Sequence, residues 1–203
     1  MRPEGPFEPC SRKGALRKEL AERLLDAHAR GEARVVIARG SDFVGPEIVR
    51  AHLGERFFER VFAGKAGECL GDPDHPHAFT YGPDAARGLA VLGTTEHAVE
   101  GRLWHLPTLA ARSMREWASA LGQELALPAR VETIPGWILS AIGLLSPVMR
   151  ELKEMRYQWE EPYRLDDAAF RRELGLEPTP FAEQVRATAD WARATYGARA
   201  LAA

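Results

Sequence analysis

Apolar residues change their spacing several times along this chain, and each change marks an element. After a proline-rich opening, Leu16, Leu20, Leu24 and Ala27 recur on one helix face, with Ser11 placed to cap that helix and Gly31 to stop it in the left-handed conformation. The next segment, Arg34-Val35-Val36-Ile37-Ala38-Arg39-Gly40-Ser41-Asp42-Phe43-Val44-Gly45-Pro46, begins with an apolar run that does not alternate. Such a run suits a parallel strand covered on both faces, and ligands of open α/β sheets gather beyond the carboxyl ends of such strands. The glycine-rich loop that follows Ala38 is therefore a candidate site.

Helix followed by strand across a short link is half of a right-handed parallel crossover. Short helical pieces are predicted around Ile48 to Leu53 and Phe57 to Phe62, a strand at Glu68 to Leu70, and a turn at Gly71-Asp72-Pro73-Asp74. His77 to Tyr81 reads as a strand. Asp84 reads as the cap of a helix that carries Ala85, Ala86, Leu89 and Leu92 and ends at Gly93, and Arg102 to Leu106 as another strand. Ser113-Met114-Arg115-Glu116 is a capping box opening a helix that buries Met114, Trp117 and Leu121 and ends at Gly122; a strand at Arg130 to Ile134 follows. From Pro135 onward only helices are expected, over 136–145, 148–156, 168–174 and 180–196, the last capped by Thr179 ahead of Pro180. The chain thus divides into an α/β part, 1–134, and a mainly helical cap, 135–203.

Composition narrows the function. The 203 residues are 45% hydrophobic, enough for one ordinary core, and 27 basic against 29 acidic side chains leave a net charge of -2 with no basic patch for nucleic acid. Cys10 and Cys69 supply neither a disulfide framework nor zinc spacing. The longest apolar stretch, Trp137 to Leu145, is far short of the roughly 20 residues that span a bilayer, and no export signal is visible. A cytoplasmic protein with no membrane partner is expected.

Several side chains are candidates for chemistry. Arg12, Lys13, Arg17 and Lys18 crowd the first turns of a helix, where the macrodipole disfavours each positive charge by about 0.3–1 kcal/mol. A lysine aimed at ribose hydroxyls or phosphate would explain the placement; a solvated basic face is the ordinary alternative. Asp72, Asp74, His75 and His77 are metal-ligand types, but a proline-broken turn without a second ligand set reads as a solvated loop, and no metal is expected. Tyr157, Trp159 and Trp137 either line a substrate pocket in the cap or fill the core.

Taken in order, Lys13 at the start of its helix, Arg39-Gly40-Ser41-Asp42-Phe43-Val44-Gly45-Pro46, Leu70-Gly71-Asp72 and Phe79-Thr80-Tyr81-Gly82-Pro83-Asp84-Ala85-Ala86 resemble the C-terminal half of NAD-dependent epimerase/dehydratases, the extended or atypical short-chain dehydrogenase/reductases. The resemblance continues through 101–107 and 150–158 and closes with Leu174-Gly175-Leu176-Glu177-Pro178-Thr179-Pro180 and Trp191. It implies an α/β fold, the C-terminal half of a Rossmann-like parallel sheet under a mainly helical substrate cap. Lys13 falls on the lysine of the Y-x-x-x-K pair that holds the nicotinamide ribose, as catalytic and cofactor residue, but Pro9 occupies the tyrosine position. Gly40, Ser41 and Phe43 fall on the cofactor loop; Asp42, His77 and Phe79, with Tyr157 from the cap, would meet substrate.

No G-x-G-x-x-G follows any strand, so the resemblance implies a chain lacking the N-terminal dinucleotide-binding half. NAD or NADP would serve the complete relatives and not this chain alone. Its partners would be a small carbonyl, hydroxyl or sugar-derived substrate, and a second copy or a complementary N-terminal half. A non-catalytic ligand-sensing or protein-interaction module on a degenerate short-chain dehydrogenase fold is the alternative.

Overall fold

The computed structural model describes residues 8, 9, 11–96, 98–135 and 157–197. Parallel pairing organises them. Strand β1 (Ile37–Arg39) pairs with β6 (Leu103–His105), β2 (Asp42–Val44) with β5 (Phe79–Tyr81), and β3 (Gly67–Cys69) with β8 (Val131–Thr133), each pair parallel. Strands β4 (Pro76–His77) and β7 (Arg112–Ser113) pair antiparallel. The expected strand over 77–81 is thus broken at Ala78, whose N–H leaves the ladder and donates to the Tyr163 carbonyl at 2.9 Å.

Helix α1 (Arg12–Ala29) opens as its sequence requires, with Ser11 Oγ accepting from the Gly14 N–H at 3.0 Å. Its leucine stripe faces outward: Leu16, Leu20 and Leu24 are 66%, 57% and 40% exposed, and Ala21 alone is buried. Helix α2 (Glu55–Phe62) turns Phe57, Phe58 and Val61 inward. The helical piece expected over 48–53 is instead a set of turns. Glu47 takes a left-handed φ of 64°, and Gly54 closes the segment so tightly that a Cβ there would lie 2.2 Å from the Val49 carbonyl oxygen.

Helix α3 (Gly82–Thr94) carries Pro83 in its first turn, with Tyr81 at the cap position. Asp84, expected as the cap, is the third residue of the helix, within its first turn, and is fully buried. The capping box opens helix α4 (Met114–Leu125) as predicted: Ser113 Oγ accepts from the Glu116 N–H, and the Glu116 carboxylate accepts from the Ser113 N–H at 2.7 Å. This helix runs past Gly122 to a left-handed stop at Ala126. Gly122 is needed for close approach, since a Cβ there would meet the Leu127 carbonyl at 2.8 Å.

Then come α5 (Tyr157–Glu160), α6 (Ala168–Leu174), ended by Gly175 at φ 67°, and α7 (Phe181–Ala192), which continues as a π-helical turn, Arg193–Gly197. Pro180, not Thr179, caps α7. The helices expected over 136–145 and 148–156, and Trp137, lie outside the described residues. One core cluster joins Phe57, Phe58, Phe79, Trp117, Leu121, Val185 and Tyr196, and a second joins Leu92, Trp104, Leu106 and Phe170. No helix among the described residues is long and apolar enough to cross a membrane.

Candidate functional site

Strand β1 delivers the loop Gly40–Ser41 from its carboxyl end and the chain turns at once into β2, so Asp42 stands where parallel strands end. Gly40 leaves room for an aromatic lid: a Cβ there would sit 3.1 Å from the ring of Phe43, whose side chain is 41% exposed. Asp42 Oδ2 and His77 Nε2 are 2.8 Å apart. A carboxylate only accepts, so the imidazole donates, and Nδ1 of the buried His77 is left with no partner.

His77 is wedged among rings. It stacks on Trp159 at 3.7 Å between centroids, with Tyr163 and Phe79 each 5.0 Å away, and His52 meets Trp159 at 4.0 Å. Burial pushes the Asp42 carboxyl up, but the His77 hydrogen bond, with the charges of His52, His77 and Arg17, outweighs burial and holds the group below the usual carboxylate range. Asp42 is therefore a fixed anion and acceptor rather than a proton carrier near neutrality. Burial also pushes the His52 imidazole below its ordinary value, against the charge of Asp42.

Behind the loop runs a chain of hydroxyls. Ser41 Oγ, Thr80 Oγ1 and Thr108 Oγ1 are linked at 2.9 Å each, Thr108 donates to the Leu106 carbonyl at 2.9 Å, and the Ser41 N–H donates to Thr80 Oγ1 at 2.9 Å. At the end of the β1/β6 pair, Arg39 lies opposite His105. His105 donates from Nδ1 to the Asp166 carbonyl at 2.9 Å and leaves Nε2 buried without a partner. Burial lowers both groups, and the Arg39 charge lowers His105 further.

The structure thus brings Asp42 to His77 and His77 to Phe79, with Phe79 facing the core at 3% exposure, while Gly40 lies by the Phe43 ring and Ser41 by Thr80. Lys13 is exposed in the first turn of α1 and makes no hydrogen bond or ion pair among the described residues, whereas Arg17, one turn on, bears on both Asp42 and Arg39. Of Tyr157 only the backbone, which opens α5, is described. The turn at 71–74 lines a separate open cleft of about 650 Å³ with Arg115, Glu132 and Glu160. There Asp74 is taken by Arg115 at 2.6 Å, and no group of three metal-ligand side chains occurs among the described residues. Sequence reasoning missed Thr80, Thr108, His52, Arg39, His105 and Tyr163. Arg39 and His105 were findable as polar ends of buried strands; the others come together only through pairing.

No family model matches this chain. No curated protein matches it. Among solved structures, it is similar to DesIV, a dTDP-glucose 4,6-dehydratase from Streptomyces venezuelae solved with NAD bound, at 20% identity over 97% of this chain and 55% of that one, with a TM-score of 0.73. A UDP-glucuronic acid 4-epimerase from Bacillus cereus in complex with NAD matches at 16% identity over 97% and 56%, TM-score 0.71. MoeE5 in complex with UDP-glucuronic acid and NAD matches at 19% identity over 96% and 60%, TM-score 0.73. The chain spans little more than half the length of these structures, and likeness at this identity shows the fold: α/β with parallel strands, matching part of the epimerase/dehydratase structures. The expectation that it is specifically the C-terminal half, without the N-terminal dinucleotide-binding half, is corrected. A match over 55–60% of the other chains, with no family model behind it, leaves open which half is matched.

Proposed function

We propose that this chain is the substrate-facing part of an NAD(P)-dependent epimerase/dehydratase-like oxidoreductase acting on a small carbonyl, hydroxyl or sugar-derived compound. The observation that carries the reading is the loop Gly40 to Phe43 at the carboxyl end of β1, where a fixed carboxylate is bonded to a buried imidazole in a fold shared with NAD-bound structures. NAD(P) would supply or accept a hydride; here Gly40, Ser41 and Phe43 would meet its nicotinamide end, with Lys13 at the ribose and Asp42 and His77 toward substrate. With no glycine-rich turn to hold the pyrophosphate, the contacts are few. NAD⁺ titrated into the chain should therefore bind more weakly than about 1 μM, or -8.2 kcal/mol, and shift the backbone amides of 40–43 before any others. Amide shifts that are absent at millimolar NAD⁺, or that map elsewhere, remove the oxidoreductase reading.

The second reading, a non-catalytic interaction module, is favoured by Pro9 in the tyrosine position and by the outward leucines of α1. It predicts association of the chain with itself at micromolar concentration through Leu16, Leu20 and Leu24, weakened by Leu20→Glu. A compact monomer in sedimentation at such concentrations, with no dye-binding apolar surface, removes it.

A further inference from the structure

We propose that the outer edge of β8 docks an extended, lysine- or arginine-rich segment of another protein, which pairs with β8 as an added strand along an acidic cleft. None of the residues involved belongs to the Gly40–Phe43 loop, so this surface stands or falls separately from the oxidoreductase reading.

Every second residue of a parallel strand turns its backbone groups to a given neighbour. On its inner edge β8 bonds to β3: the Gly67 N–H donates to the Arg130 carbonyl at 2.8 Å, and the Ile134 N–H to the Cys69 carbonyl at 2.8 Å. That parity gives Arg130, Glu132 and Ile134 to β3 and turns the N–H and C=O groups of Val131 and Thr133 outward. Among the described residues no other strand pairs with β8, and no hydrogen bond meets these outward groups. The open cleft of about 650 Å³ is lined by Val131, Glu132 and Thr133 together with the turn at 71–74, Arg115 and Glu160. A second cleft, of about 550 Å³, shares Arg115, Val131 and Glu132 and continues along α4 at Ser119 and Gln123. Glu132 and Thr133 are exposed, and Val131, although it belongs to the larger core cluster, reaches both clefts.

Charge decides which strand fits. Asp72, Asp74, Glu132 and Glu160 bring four carboxylates to the first cleft against the one guanidinium of Arg115, which is spent on Asp74 at 2.6 and 2.9 Å. The Glu132 side chain makes no ion pair or hydrogen bond among the described residues. An incoming strand therefore meets backbone donors and acceptors along its edge and negative charge around its side chains, which selects a cationic one. A second copy does not suit, because pairing all three strand residues of β8 with their own copy sets Glu132 opposite Glu132.

Four probes titrated separately into the full chain test this, followed by the amide resonances of Val131 and Thr133: acetyl-Lys-Val-Lys-Val-Lys-amide, its glutamate counterpart, the lysine peptide N-methylated along its central amides, and spermidine. The lysine peptide should saturate with a dissociation constant below about 1 mM and bind at least about tenfold more tightly than the other probes. Glu132→Lys should weaken it about five- to tenfold. Thr133→Pro, which removes an outward N–H and no ladder bond, should weaken it by about the same factor, with Thr133→Val as the control for the hydroxyl bond to the Gly71 carbonyl. Equal binding of the methylated peptide or of spermidine would reduce the surface to a charge effect and overturn the proposal. So would equal binding of the glutamate peptide, the absence of a saturable shift, or shifts confined to other residues. A dimer of the chain that the peptide fails to dissociate, with its contact mapped to β8, would seat a second copy on this edge and overturn it as well. Should Thr133→Pro fail to fold, the methylated peptide still decides between strand pairing and charge.

Discussion

Replacing Asp84 with alanine should cost about 3–5 kcal/mol of unfolding free energy, the range seen when one partner of a buried charge network is removed. Asp84 sits in the first turn of α3 with no exposed side-chain surface, where its charge also faces the positive end of the helix. It accepts from the Thr179 N–H at 2.7 Å, the Thr179 hydroxyl at 2.6 Å and Arg87 at 2.5 Å. The two Thr179 bonds cross from α3 to the segment that launches α7, 95 residues later in the chain. Alanine leaves the Thr179 amide without its acceptor in a half-buried place and releases the start of α7, whose Val185 and Ala189 belong to the larger core cluster. Urea unfolding followed by far-ultraviolet circular dichroism reads the loss. Asp84→Asn should cost less, since one acceptor oxygen remains. A loss below about 1 kcal/mol for Asp84→Ala would mean that α7 is held by its apolar contacts alone.

The same residue shows where sequence reading reached and where it stopped. Asp ahead of an apolar helical stripe is a capping signal, and the helix is there, but nothing local distinguishes a cap from a carboxylate held by a threonine 95 residues away. Local signals with a local cause were legible. Ser11 and the Ser113–Glu116 box cap the helices they were expected to cap, because the bonds involved span three residues. Gly122 misled because its role is approach to Leu127, not termination. The leucine stripe of α1 gave the helix correctly, yet periodicity records that a face is apolar and not what covers it. In the site, the Gly40–Phe43 loop was visible from the strand before it. The hydroxyl chain was not, since Ser41, Thr80 and Thr108 lie on three separate segments and meet only when β2 pairs with β5.

His77→Ala should be the most damaging change in the site itself, at about 2–4 kcal/mol, from loss of a fully packed ring and of its bond to Asp42. The ring is 2% exposed and stacked within 8° of parallel on Trp159, so its removal opens a void between Trp159, Tyr163 and Phe79 that the short β4–β5 break cannot close. Part of the penalty depends on pH, and its sign is fixed by Asp42. In the native chain that carboxyl is held below its ordinary 3.8, so its ionised form adds stability above the unfolded value, lost as pH falls through the lower folded value. Without His77 the foremost opposition to burial disappears, and burial then pushes the carboxyl upward. The gap between native and His77→Ala chains should therefore be widest near neutrality and narrow as pH falls through the variant's higher Asp42 value toward the lowered native one, below 3.8, with Asp42→Asn as a background that removes the narrowing. Denaturant unfolding at several pH values measures it. A gap of constant size would show that His77 holds the site by packing alone, and that the Asp42 anion does not depend on it.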